Sequence, residues 1–172
     1  MTSNFDHDDS QDDDVVGTGR TGETGLVVTE TPGPGVDSII CTLRAPHEPA
    51  SVGKVRREVV NDLQTRDLPE QLVDEAEMVS SELLTNAVRH ARPLSDGTIR
   101  VRWKIRGDVV EVEVTDGGSE STPRPAPRTI WAPSGRGLRI VRSLAHEWGV
   151  TEDRSGSTVW ASLGGPSRRR SH

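Results

Sequence analysis

The sequence holds a single cysteine, Cys41, so an internal disulfide framework and a cysteine-rich zinc site are both excluded. It contains no apolar run long enough to cross a bilayer. The first residues are acidic and carry no apolar core, so a secretory signal is not expected. Gly-Lys-Ser/Thr occurs nowhere, which disfavours a P-loop nucleotidase. Hydrophobic residues make up only 31% of the 172 positions, below the usual globular share. Net positive charge is also missing. Residues 1–36 carry eight acidic residues and one base, whereas residues 37–172 carry 19 acidic and 20 basic residues. The formal charge of -6 therefore belongs to the leader, and the remainder is nearly neutral. Phosphate affinity needs clustered, uncompensated cations, so a direct nucleic-acid binder is disfavoured. The expectation is a cytoplasmic protein with no membrane contact. The imbalance of 19 Arg against 2 Lys reads as coding bias rather than function.

The shortage of apolar residues is concentrated at the ends. Residues 1–36 combine acids with Gly, Thr and Pro and read as a disordered, solubilising leader. Residues 164–172, with Arg168-Arg169-Arg170, read as a disordered basic tail. A single folded domain is expected over 37–163. Ser38 to Leu43 reads as a strand. Val52, Val55, Val59 and Leu63 stand at helical spacing over about 50–63. Leu72, Ala76, Val79, Leu83 and Ala87 form the stripe of a second helix, about 70–91, which Pro93 ends.

Thr98 to Arg106 and Val109 to Asp116 flank Gly107-Asp108, a two-residue turn. A tight turn pairs Ile105 with Val110, Trp103 with Val112 and Val101 with Val114 on one face. The other face pairs Lys104 with Glu111 and Arg102 with Glu113, so the basic alternation is cross-strand compensation. Residues 117–134 carry Pro123, Pro125, Pro127 and Pro133 and read as a lid. A helix is expected over about 138–147, then strands over 148–151 and 158–163. The order predicts a two-layer α/β sandwich, one mixed sheet with helices on one face.

Four short pieces carry chemistry. Glu82 and Asn86 stand at i and i+4, one turn apart on one helix face at the edge of the apolar stripe. A carboxylate can accept a proton from a hydroxyl, and an Asn oxygen is a hard neutral ligand suited to Mg²⁺. Asp116-Gly117-Gly118 ends a strand, where a carboxylate can accept from an exocyclic amine. Ser134-Gly135-Arg136-Gly137-Leu138 opens a helix, whose free N–H groups and dipole favour anions. Gly156-Ser157-Thr158 starts the last strand, where a Thr hydroxyl can reach a base nitrogen or a carboxylate. Each piece alone is weak: a Glu–Asn pair on a helix edge is usually solvated surface, and Gly-x-Gly is common.

In this order the four resemble the boxes of the GHKL (histidine kinase-like) ATPase superfamily. Glu82-x-x-x-Asn86 matches the N box, Asp116-x-Gly118 the first glycine box, Gly135-x-Gly137-Leu138 the second, and Gly156-x-Thr158 the closing one. The small size and the Asn-Ala-Val-Arg-His-Ala wording are most similar to anti-sigma-factor serine kinases and related actinobacterial ATP-binding regulators. The resemblance implies a Bergerat-type ATP-binding fold that uses ATP and Mg²⁺. It implies Glu82 as general base, Asn86 as Mg²⁺ ligand and Asp116 as acceptor of the adenine amine, with Gly118 giving the base room. Gly135, Arg136, Gly137 and Leu138 would surround the phosphates, and Thr158 would assist adenine recognition. Arg89 or His90 would touch phosphate or partner. The implied partners are a sigma factor, an anti-sigma-factor antagonist protein phosphorylated on serine, and a second copy of the chain in a homodimer.

One departure stands out. The fuller first glycine box has another glycine two residues after Gly118, where this sequence has Glu120. That motivates a second reading, a nucleotide-gated binding module without kinase activity. A histidine-kinase catalytic fragment ranks lower, because no dimerisation helix pair precedes the domain.

Overall fold

The computed structural model describes residues 17–119 and 137–165. The elements are β1 (Thr18–Thr21), β2 (Val27–Pro32), β3 (Ser38–Pro46), α1 (Pro49–Thr65), α2 (Glu70–His90), β4 (Thr98–Arg106), β5 (Val109–Asp116), α3 (Gly137–Leu144), β6 (Glu147–Asp153) and β7 (Gly156–Gly164). They form one seven-stranded sheet, in the order β1-β2-β3-β4-β5-β7-β6, with the helices packed on one face. The two-layer α/β architecture is as expected, but the sheet is antiparallel throughout rather than mixed. The chain path explains this. Two helices separate β3 from β4, so the chain re-enters the sheet reversed. A single helix joins β5 to β6, which run parallel, but β7 folds back by a hairpin and lies between them.

The β4–β5 register is the expected one, with Ile105 opposite Val110, Trp103 opposite Val112 and Val101 opposite Val114. These six side chains face the helices and are buried, while Lys104 bonds Glu111 at 2.9 Å on the open face. Leu72, Ala76, Val79, Leu83 and Ala87 are all buried, so the α2 stripe lies against the sheet. Each fully buried aliphatic side chain contributes roughly 1.5–3 kcal/mol. Pro49 stands in the first turn of α1, where its missing N–H costs nothing. Helix α3 ends at Leu144, earlier than expected, because His146 already donates its N–H to Ser162 O at 2.9 Å and begins the β6 pairing. Of the expected lid, residues 120–134 lie outside the described residues.

The expected leader is overturned over 17–36, where β1 and β2 extend the sheet beyond β3. Val28 is fully buried, and Arg20 and Glu30, read as solvated, are tied to α1 and the residue that follows it. Arg20 donates to Asp62 at 2.8 Å, Arg66 donates to Glu30 at 2.7 Å, and the Thr24 N–H donates to Glu58 at 3.0 Å. Asp62 also accepts from Trp103 Nε1 at 2.7 Å and from Arg66 Nε at 3.0 Å. This charged network bolts the first hairpin to α1, and sequence periodicity gave no sign of it. Residues 1–16 and 166–172 lie outside the described residues.

Candidate functional site

The site grows from the end of β5. Val110, Val112 and Val114 face the helices, so period two carries Asp116 to the same face, where it is 2% exposed. Its Oδ1 accepts the Gly118 N–H at 2.8 Å. Burial pushes the Asp116 carboxyl up to about 6, against the opposing pull of that hydrogen bond and of His47.

The backbone around Asp116 is held from two sides. The Gly117 N–H donates to Arg92 O at 2.7 Å, and the Arg92 N–H donates to Gly118 O at 2.9 Å. This strap joins the strand end to the segment after α2. A Cβ on Gly117 would lie 2.1 Å from Pro93 O, and one on Gly156 would lie 1.9 Å from Asp116 O. These two glycines therefore permit close backbone packing rather than approach of a base. Gly118 differs, with φ +83 and open space where a Cβ would stand.

Between α2 and the strands lies a small hollow. Leu83, Asn86 and Ala87 of α2 line one side, and Val114 and Asp116 of β5 line the floor. Val159 of β7, Trp148 and Val150 of β6, and Leu138 of α3 complete it. The structure thus brings Asn86, Asp116 and Leu138 together. Glu82 is half-buried one turn before Asn86 and does not line the hollow. Arg89 and His90 are exposed in the last turn of α2, also away from its lining. Gly137 opens α3, and Gly135 and Arg136 lie outside the described residues.

Thr158 is a correction. It projects from the opposite sheet face, and its hydroxyl lies 2.8 Å from that of Thr115. Its neighbour Ser157 stands opposite Asp116 in the β5–β7 register and is 3% exposed. The Ser157 Oγ is buried with no hydrogen-bond partner among the described residues. Sequence alternation could have found it: with Val159, Ala161 and Leu163 facing inward, position 157 faces inward and 158 does not.

The chemistry of this hollow fits a purine nucleotide. Apolar walls suit a flat ring, and a buried carboxylate with one backbone donor retains acceptor capacity for an exocyclic amine. An unpartnered buried hydroxyl has unmet hydrogen-bonding capacity that a ring nitrogen can satisfy. Asn86 lines the hollow, and its one neutral oxygen is a ligand type that suits Mg²⁺ held chiefly by phosphates and water. The other grouping of potential ligands, Glu30, Cys41 and Asp62, does not suit an ion. Arg66 and Arg20 already occupy its carboxylates, and burial pushes the Cys41 thiol up to about 12.

A family model described as a histidine kinase-like ATPase domain matches residues 45–163. No curated protein matches the chain. Among solved structures, the RsbU and RsbW domains of Rv1364c from Mycobacterium tuberculosis align with TM-score 0.54 and 21% identity, which shows a shared fold. That match covers 83% of this chain but spans only 36% of the other. The blue-light activated histidine kinase EL346 of Erythrobacter litoralis aligns at TM-score 0.39 and 16% identity, covering 86% of this chain and 75% of that one. Among the described residues no helix is long and apolar enough to cross a membrane. The family match takes in all three helices of the layer, the β4–β5 hairpin and every residue of the hollow, and the chain belongs to the histidine kinase-like ATPase domain family.

Proposed function

We propose that the chain is an ATP-dependent regulator that phosphorylates a serine of an antagonist protein and sequesters a sigma factor when that antagonist is modified. The observation that carries the nucleotide part is the buried Asp116 at the floor of an apolar hollow, with Ser157, whose buried hydroxyl has no partner among the described residues, opposite it in the β5–β7 register. The partner-switching part rests on the resemblance of the Asn86-Ala87-Val88-Arg89-His90-Ala91 segment to anti-sigma-factor kinases, and on the fold shared with the RsbW-containing chain. A homodimer and a cytoplasmic setting belong to the same reading.

In this mechanism Asp116 accepts from the adenine amine and Ser157 bonds the ring edge, which fixes the base. Leu83, Val114 and Val159 exclude water from around it. Asn86 would offer one protein oxygen to a magnesium ion bound with the phosphates, which would supply neutralisation of the charge on the transferred group. Glu82, one turn away on the same helix face, accepts the proton of the attacking serine hydroxyl. Most of the rate advantage then comes from positioning.

The test uses labelled Mg-ATP and a cognate antagonist. Glu82→Ala is expected to keep nucleotide affinity and to abolish transfer to serine. Undiminished transfer would remove Glu82 from the mechanism. The second reading, a nucleotide-gated binding module without kinase activity, is motivated by Glu120 in place of a box glycine. Phosphoserine on the antagonist after incubation with the wild-type protein would exclude it.

A further inference from the structure

The chain's described tryptophans have different environments. Trp103 is fully buried and donates its indole N–H to Asp62, so it is part of the core. Trp160 lies over Gly149, where a Cβ would stand 2.9 Å from its Nε1. Trp148 is half-buried on β6 and lines the hollow, the one aromatic side chain among the described residues that does so. The Arg142 guanidinium of α3 sits 5.1 Å from the centroid of its ring. Attraction between the cation and the indole quadrupole ties the ring to α3. That helix also supplies Leu138 to the same hollow.

We propose that Trp148 is the aromatic wall on which a purine stacks, and that it sets a preference for purine over pyrimidine nucleotides. This rests on the nucleotide-binding reading above. The other apolar residues of the lining are aliphatic and exclude water without discriminating between bases. An indole held by Arg142 offers a pre-oriented π surface, and stacking on it grows with the area of the base. Asp116 and Ser157 then read the ring edge, while Trp148 reads its face.

The experiment is calorimetric titration of the full chain with Mg-ATP, Mg-GTP and Mg-CTP. The wild type, Trp148→Phe and Trp148→Leu are compared. Base–aromatic stacking predicts that Trp148→Leu weakens Mg-ATP binding about tenfold, whereas Trp148→Phe stays within about threefold. Loss of Trp148 should narrow the gap between Mg-ATP and Mg-CTP. Quenching of tryptophan emission by Mg-ATP, present in the wild type and lost in Trp148→Phe, decides the matter should Trp148→Leu fail to fold. A wild type that binds Mg-ATP, with Trp148→Leu binding it as tightly or quenching retained in Trp148→Phe, overturns the stacking proposal alone. A wild type that binds no nucleotide overturns the nucleotide reading with it.

Discussion

Replacing Asp116 by Asn should make the unliganded protein more stable while weakening nucleotide binding. The carboxyl is 2% exposed, accepts one backbone N–H, and is raised by burial from 3.8 to about 6. A raised folded-state value means the neutral acid is the better tolerated form inside. Its stabilising contribution is fully present below the unfolded value and is lost as pH rises through the folded one. The shift of about two units corresponds to about 3 kcal/mol of stability forgone near pH 7.5. Asparagine keeps an oxygen for the Gly118 N–H and carries no charge. Asp116→Asn should therefore exceed the wild type by up to about 3 kcal/mol near pH 7.5, and the difference should shrink to near zero by about pH 3.5. For a chain of this size that raises the melting temperature by roughly 6–12 °C. Thermal and urea unfolding at the two pH values measure it, and calorimetry on the same samples should show Mg-ATP binding weakened. Wild-type affinity should also fall as pH drops through about 6, because a protonated Asp116 accepts poorly. A variant less stable than wild type near pH 7.5, or binding Mg-ATP equally well, would refute the argument.

Other expectations follow from neighbouring residues. Ser157→Ala should weaken Mg-ATP binding measurably, whereas Thr158→Val should leave it unchanged, since the Thr158 hydroxyl faces Thr115 across the sheet. Equal effects of the two changes in calorimetry would contradict this assignment. Gly156→Ala places a Cβ 1.9 Å from Asp116 O at a φ of +155, so urea unfolding should show a loss of at least about 2 kcal/mol. Asp62→Ala leaves Arg66, Arg20 and the Trp103 N–H without their buried acceptor, and should cost about 3–5 kcal/mol in the same assay.

Much of the sandwich was legible because its central elements are periodic in the residues that touch the core. The alternation from Ile99 to Ile105 against Val110 to Val114 has apolar side chains on one face and opposite charges on the other, so one register alone satisfies both. The α2 stripe was equally plain. The first hairpin was not, because its inward face is closed by ions. Arg20 and Glu30 point at the α1 acids and Arg66, and in a sequence such residues look the same as solvated ones. The site was legible as an ordered set of motifs but misread at one position. Thr158 was assigned through the match of Gly156-x-Thr158 to the closing box, and the strand's parity puts it and Ser157 on opposite faces.

The two buried aspartates show how structure separates a scaffold from a site. Asp62, like Asp116, is penalised by burial. Hydrogen bonds from Arg66 and Trp103, with the charges of Arg66 and Arg20, outweigh that penalty and hold its carboxyl below the usual range. Its stabilising contribution is therefore present above the ordinary carboxylate range and lost as pH falls through its folded value. Among the described residues Asp116 has one backbone donor and no ion-pair partner, and Ser157, opposite it in the register, has a buried hydroxyl with no hydrogen bond. Folding alone gives no reason to keep a carboxylate there, since asparagine or an apolar residue would serve the empty protein better. Groups whose environments push them in opposite directions mark different tasks. The aspartate left incompletely satisfied faces an open hollow, and a ligand with a donor at that depth supplies what the fold withholds.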